Sequence, residues 1–299
     1  MKKITTIMLS FVATALFAQT QVNSPADIGL GVEAYSSAAW DVKQDILIDG
    51  KLTFNAGIGQ YAIKLNDRSS ITIGSTGVLN LNTDNDVWGK QNLINLGNFN
   101  GAASLIIEKG GELFIDKITI SAANSKITLN SSNAIQTVKY DYTILYFYKN
   151  GILNMFTPET YSFVIQGVED KTATLTFVEN TKLNVMGYKD ATNYKMNLVD
   201  FTETNSIFFA SRVGGVEGDC IVKLEELGSD YAVSFYNGDI VAKTITLQGA
   251  DLSDFSFTKT TIDGVGGYLL SAVAVPEPAE WAMIFGAIAL GVAIYRRRK

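Results

Sequence analysis

The chain contains no histidine and one cysteine, Cys220. Without imidazole there is no Ser-His-Asp or Cys-His nucleophile pair and no histidine metal site. A single cysteine closes no internal disulfide, so the fold must rest on its core and its backbone ladders. Arginine is scarce: before the last few residues there are only Arg68 and Arg212. That argues against dense phosphate or sulfated-glycan recognition by guanidinium groups. Proline is scarce too, and two of the four, Pro276 and Pro278, fall in one three-residue phrase. Between Asp27 and Ala274 no segment carries an apolar stripe at i, i+3, i+4 and i+7, so no amphipathic helix is expected there.

Both ends carry signals of their own. Lys2 and Lys3 precede a mostly apolar stretch from Ile4 to Phe17, with small residues at Ala15 and Ala18. This is the pattern of a Sec signal peptide over residues 1–18, a transient helix read by the Sec export machinery. At the other end, residues 275–299 read Val275-Pro276-Glu277-Pro278-Ala279-Glu280, then an apolar run, then a basic cluster. The prolines keep Pro276, Glu277 and Pro278 extended and non-helical. The run is Trp281, Ala282, Met283, Ile284, Phe285, Gly286, Ala287, Ile288, Ala289, Leu290, Gly291, Val292, Ala293, Ile294, Tyr295. As a helix it covers roughly 22 Å, a short span for a ~30 Å hydrocarbon core. Trp281 and Tyr295 bracket it as interfacial aromatics, and Arg296, Arg297, Arg298 and Lys299 form a cytoplasmic basic anchor.

That order of parts resembles the PEP-CTERM sorting signal of Gram-negative bacteria. The resemblance covers Val275 to Lys299 only. It implies recognition by exosortase, a membrane cysteine transpeptidase acting near the Pro-Glu-Pro. It also implies passage from the inner membrane to the outer envelope, cell surface or matrix, alongside exopolysaccharide.

Setting aside the charges of both signals leaves 18 basic and 28 acidic residues in the passenger, a formal −10. There is no basic patch for nucleic acid. The passenger, residues 19–274, reads as short strands with period-two alternation, bounded by Gly, Asn, Asp and Ser. One unit recurs: a strand, a Gly- or Asn-bearing turn, a strand. Ile46 and Ile48 precede Gly50, then Leu52 and Phe54; Ile71 and Ile73 precede Gly77, then Leu79 and Leu81. Leu105 and Ile107, then Leu113 and Ile115, flank Gly110-Gly111; Ile118 and Ile120, then Ile127 and Leu129, flank Asn124. Leu175 and Phe177 precede Asn180, then Leu183 and Val185. Successive units start 25, 34 and 13 residues apart, at Ile46, Ile71, Leu105 and Ile118. No unit buries its apolar rows alone, and stacking coil on coil does so. The expected fold is therefore all-β, a parallel β-solenoid with Leu52, Leu79, Leu113 and Ile127 inward. An antiparallel β-sandwich is the alternative with the same turn grammar. From Asp45 to Ser132 the phrasing is loosely similar to autotransporter passenger repeats.

Candidate sites are few. Tyr140, Tyr142, Tyr146 and Tyr148 share one strand face with Ile144, either as a platform for sugar rings or as a core row. Asn80, Asn82, Asp84, Asn85 and Asp86 are oxygen-rich, but Trp88 and Asn95 break the spacing of a calcium loop, and a polar turn explains them. Asn82-Thr83-Asp84 matches part of a polygalacturonase motif, whose paired aspartates, histidine and Arg-x-Lys are missing here. Asp141, Asp200, Glu203, Glu217, Asp219, Glu225 and Glu226 are the carboxylates open to a glycosidase pair. Thr172, Thr174 and Thr176 form one threonine file, whereas an ice-binding face needs many in register. No cofactor motif and no metal site is read. The expectation is a non-enzymatic surface or matrix component associated with extracellular polysaccharide. The alternative is a polysaccharide lyase or hydrolase on a β-helix.

Overall fold

The structure is a computed structural model. It describes residues 19–55, 61–66, 68–81, 93–97, 101–137, 143–167, 171–185, 193–211 and 220–273, together with Tyr295. The signal peptide, Pro276, Glu277, Pro278, the run from Trp281 to Ile294 and the basic anchor lie outside them, as do Tyr140 and Tyr142. Among the described residues no helix is long and apolar enough to cross a membrane.

From residue 19 to 273 the described chain is β-structure apart from one 3₁₀ turn, Ser132–Ala134. Its strands form three sheets, one of six strands and two of ten. The short sheet stacks Thr20–Gln21, Glu33–Ser36, Lys51–Phe54, Val78–Leu81, Glu112–Phe114 and Ile135–Gln136. The back sheet runs from Trp40–Val42 through Ile63–Leu65, Ile94–Leu96, Lys117–Ile120, Thr143–Phe147, Thr160–Gly167 and Lys182–Val185 to Ser206–Ala210. The front sheet runs from Ile46–Ile48 through Ser70–Ile73, Ser104–Ile107, Lys126–Leu129, Gly151–Met155 and Thr172–Thr176 to Tyr194–Val199. Every pairing among these strands is parallel and joins one coil to the next. The chain is a parallel β-solenoid, and the sandwich alternative is excluded.

Alternation then does what it must. Successive side chains of a strand point to opposite faces, so in-register stacking turns each inward position into a column. In the front sheet Ile46, Ile71, Leu105, Ile127, Leu153, Leu175 and Leu198 make one column. Each is at most 2 % exposed. Leu52, Leu79 and Leu113 make another in the short sheet. Ile127, expected beside them, faces the same core from the front sheet. The turn in each repeated unit is thus a corner between faces. The 13-residue step is not a coil: Ile118 belongs to the back sheet, and the coil partner of Leu105 is Ile127, 22 residues on.

One corner explains a glycine. A Cβ on Gly77 would lie 1.8 Å from the Ile48 carbonyl oxygen, in the coil below. Only a hydrogen fits, because the turn closed by Gly77 N–H on Gly74 O (2.9 Å) lies against that strand end. Gly77→Ala is expected to destabilise by about 2–4 kcal/mol, since backbone must shift. A urea melt of Gly77→Ala beside Ser75→Ala, at an exposed neighbour, checks this: the first loses stability and the second does not.

After Gln136 the third face disappears. Four residues lead from Met155 to Thr160, with no room for a short-sheet strand, and the coil closes with two sheets. The inward residues change accordingly. Ile and Leu predominate in the three-sided part, with Trp40 and Phe54 near its start, whereas Phe147, Met155, Tyr161, Phe163 and Phe177 join the leucines in the two-sided part. Larger side chains are what two facing sheets about 10 Å apart require.

The last turn is closed by antiparallel strands. Ile221–Leu227, Asp230–Asn237 and Ile240–Gln248 form a meander whose last strand joins Tyr194–Val199. Phe255–Ile262 and Val265–Ala272 add a hairpin to Ser206–Ala210. The tight turns use positive φ at Gly228, Gly238, Asp263 and Gly264, the backbone that two-residue hairpins need.

Candidate functional site

Tyr146 and Tyr148 lie on Thr143–Phe147 and just beyond it, and they point out of the solenoid. The opposite parity, Leu145 and Phe147, is fully buried over Ile118 and Ile120 of the preceding coil. The core-row reading is therefore overturned for this pair. Tyr148 is 53 % exposed and Tyr146 half-buried. Their rings are 5.5 Å apart and tilted by 44°. The Lys117 Nζ stands 4.9 Å from the centre of the Tyr146 ring. The Tyr148 N–H donates to Ile120 O at 2.9 Å, which fixes the backbone under the second ring.

The outward column through Tyr146 is Asp41, Lys64, Asn95, Thr119, Tyr146 and Gln166. Asp41 pairs with Lys43 at 3.4 Å and accepts from the Asn66 amide. Lys64 Nζ is 5.7 Å from the Tyr61 ring centre. Two aromatic faces beside an ammonium, on a rigid sheet, suit sugar rings: C–H faces pack on the rings while phenol and ammonium stay wet.

The other expected residues do not gather. Asp200 and Glu203 sit in the turn after Tyr194–Val199, while Glu225 and Glu226 occupy the first cap strand with opposite parity. Asp141, Glu217, Asp219 and Arg212 lie outside the described residues, as do Asn82, Asp84, Asn85 and Asp86. Asn80 lies on a short-sheet strand beside Thr53 and Phe114. Arg68 stands in a turn with φ 65°. Among the described residues no group of three or more Cys, Asp or Glu is placed to hold a metal. The threonine file stays single: Thr172, Thr174 and Thr176 have Lys195, Asn197 and Val199 as neighbours on the next strand.

One group was missed. Lys243 is 2 % exposed, pointing inward with Ile245 and Leu247. Its Nζ has no hydrogen-bond partner among the described residues and stands 4.9 Å from the Tyr194 ring centre. Burial pushes this ammonium down to about 8 from the ordinary 10.5. Burial also pushes the Tyr194 phenol up, while its hydroxyl donates to Ile165 O at 2.7 Å. The signal was in the sequence: Lys243, Ile245 and Leu247 share one parity.

By its geometry this chain is a parallel β-solenoid that narrows from three faces to two and ends in an antiparallel cap. No protein-family model, no curated protein and no solved structure matches it.

Proposed function

We propose that this chain is an exported envelope or surface protein with a PEP-CTERM-type sorting signal. Its passenger serves as a structural, polysaccharide-associated component of the extracellular matrix. The observation that carries the polysaccharide reading is the outward Tyr146–Tyr148 pair beside Lys117. Such rings, tied to a rigid sheet, bind with little ordering penalty. Truncation of both is expected to weaken glycan binding about tenfold or more, a loss of about 1.4 kcal/mol or more of ring–sugar contact. The check is a glycan array, then titration of the best hit against Tyr146→Ala/Tyr148→Ala, with thermal melting to show an intact fold. Equal affinity in the variant removes the platform.

The sorting reading rests on the tail. Its apolar run is several residues short of the ~20 that match a bilayer, so it suits transient retention more than a permanent span. Pro276 and Pro278 oppose helix, which suits peptide bonds open to a membrane transpeptidase. The mature surface form is expected to lack Trp281 to Lys299. Pro276-Glu277-Pro278→Ala-Ala-Ala is expected to leave a folded passenger unprocessed in the inner membrane. Mass spectrometry of surface-exposed protein decides: peptides running intact through Tyr295 as the dominant species mean a permanent anchor.

A further inference from the structure

Charge is sorted by position in this solenoid. None of the seven parallel strands of the front sheet, from Ile46–Ile48 to Tyr194–Val199, contains Asp or Glu, although the chain holds 30 such residues. The carboxylates near this sheet stand at its corners, as Asp45, Asp49 and Glu108 do. The charged groups on the strands themselves are Lys126 and Lys195, both exposed and both outward.

The front face is also open. Every outward position of these seven strands is half-buried or exposed. The back face differs: Thr119, Val164 and Gln166 point outward from it, yet they are only 6 %, 1 % and 7 % exposed. The front face is also aligned. Ser70, Ser104, Lys126, Ile152, Thr174 and Asn197 form one outward column in register. With neighbouring strands ~4.8 Å apart, seven of them give a track of about 30 Å. That rung spacing is comparable to the length of one sugar residue in an extended chain. Lys126 and Lys195 are three rungs apart, or roughly 14 Å along the axis.

We propose that the outer face of the front sheet is a docking track for an extended acidic polysaccharide of the polyuronate class. The chain lies along the solenoid axis, with Lys126 and Lys195 meeting its carboxylates and the hydroxyl and amide column meeting its hydroxyls. Charge complementarity selects this occupant: strands that carry two outward ammoniums and no carboxylate, with acidic corners at the border, of which Asp45 reaches the first rung and accepts from the Ser70 hydroxyl at 2.7 Å. The proposal rests on the polysaccharide-associated reading above and adds a second site, on a different face from the Tyr146–Tyr148 platform, with its own polymer class.

The test uses the full-length chain, alginate as the polyuronate and dextran as the neutral control. The variants are Lys126→Glu/Lys195→Glu, Thr174→Asp and Tyr146→Ala/Tyr148→Ala. The lysine pair and Thr174 are outward, so thermal melting is expected to match the parent. Alginate affinity is expected to fall at least tenfold in Lys126→Glu/Lys195→Glu and also in Thr174→Asp, to weaken with added salt, and to persist in the tyrosine variant. Undiminished alginate binding in the lysine variant overturns the front-face assignment. Loss of alginate binding in the tyrosine variant alone moves the polymer to the back face: the broader reading stands and this proposal falls. A parent that binds dextran but not alginate also overturns the proposal while leaving the broader reading. A parent that binds neither overturns it, and the glycan array then judges the broader reading.

Discussion

Lys243→Met is expected to raise stability at neutral pH by about 3 kcal/mol, the equivalent of moving a lysine from 10.5 to about 8. The side chain lies in the apolar interior where the cap meets the two-sided coils, packed on Tyr194, with Phe235 opposite it on the neighbouring strand. Its ammonium loses water and gains no hydrogen bond among the described residues, and a ring face returns only part of that loss. The sign follows from proton binding. Between about pH 8 and 10.5 the unfolded chain holds this proton and the folded chain releases it. Parent stability therefore rises with pH across that window, and the full penalty applies below about 8. Methionine fills similar volume with no charge, so the gain is expected at pH 7 and is expected to shrink as pH approaches 10.5. Urea melts of parent and variant at pH 7 and pH 10 check both parts. A variant that is less stable than the parent at both pH values defeats the reading, and means the ammonium has a compensating partner.

Leu79→Asp is expected to have the opposite and larger effect. Leu79 is wholly buried between Leu52 and Leu113, one coil below and one above. Removing a buried leucine costs about 2–5 kcal/mol, and an unpaired buried carboxylate adds several more. The total approaches the whole stability of an ordinary domain. Coils contact only their neighbours, so a broken coil releases those beside it. Hydrogen exchange is expected to show protection lost through the coils carrying Lys51–Phe54, Val78–Leu81 and Glu112–Phe114. Lys51→Ala and Glu112→Ala, outward on the same sheet, are expected to change stability by less than about 0.5 kcal/mol. Native-like protection in Leu79→Asp rejects the column.

The tyrosine platform was half legible. Period two puts Tyr146 and Tyr148 on one side of their strand, but Leu145 and Phe147 make the other side equally apolar. Nothing local decides which row goes inward. The decision comes from the coil beneath, where Ile118 and Ile120 already form the inward row and extend it to Leu145 and Phe147. The cap is legible in another way. Asn237-Gly238-Asp239 and Asp263-Gly264 are hairpin turns by composition, and they mark where parallel coiling stops. Lys243 was legible as a lysine at inward parity, a conflict between local pattern and burial.

What the sequence determined by itself is whatever is local. Alternation made strands, glycine and asparagine made corners, and the need of each unit to bury its rows against another made a stack. These follow from side-chain direction along a strand and from backbone sterics within a few residues. What only the tertiary structure decided is which strand meets which. Corners between faces read like turns between partners, so the 13-residue step to Ile118 reads like a coil. The change from three faces to two, and the open front face with its lysines, also arise from this stacking. Register joins residues about 14–34 apart through loops of unequal length, and it is chosen by how whole columns fill a shared core, which no short window of sequence contains.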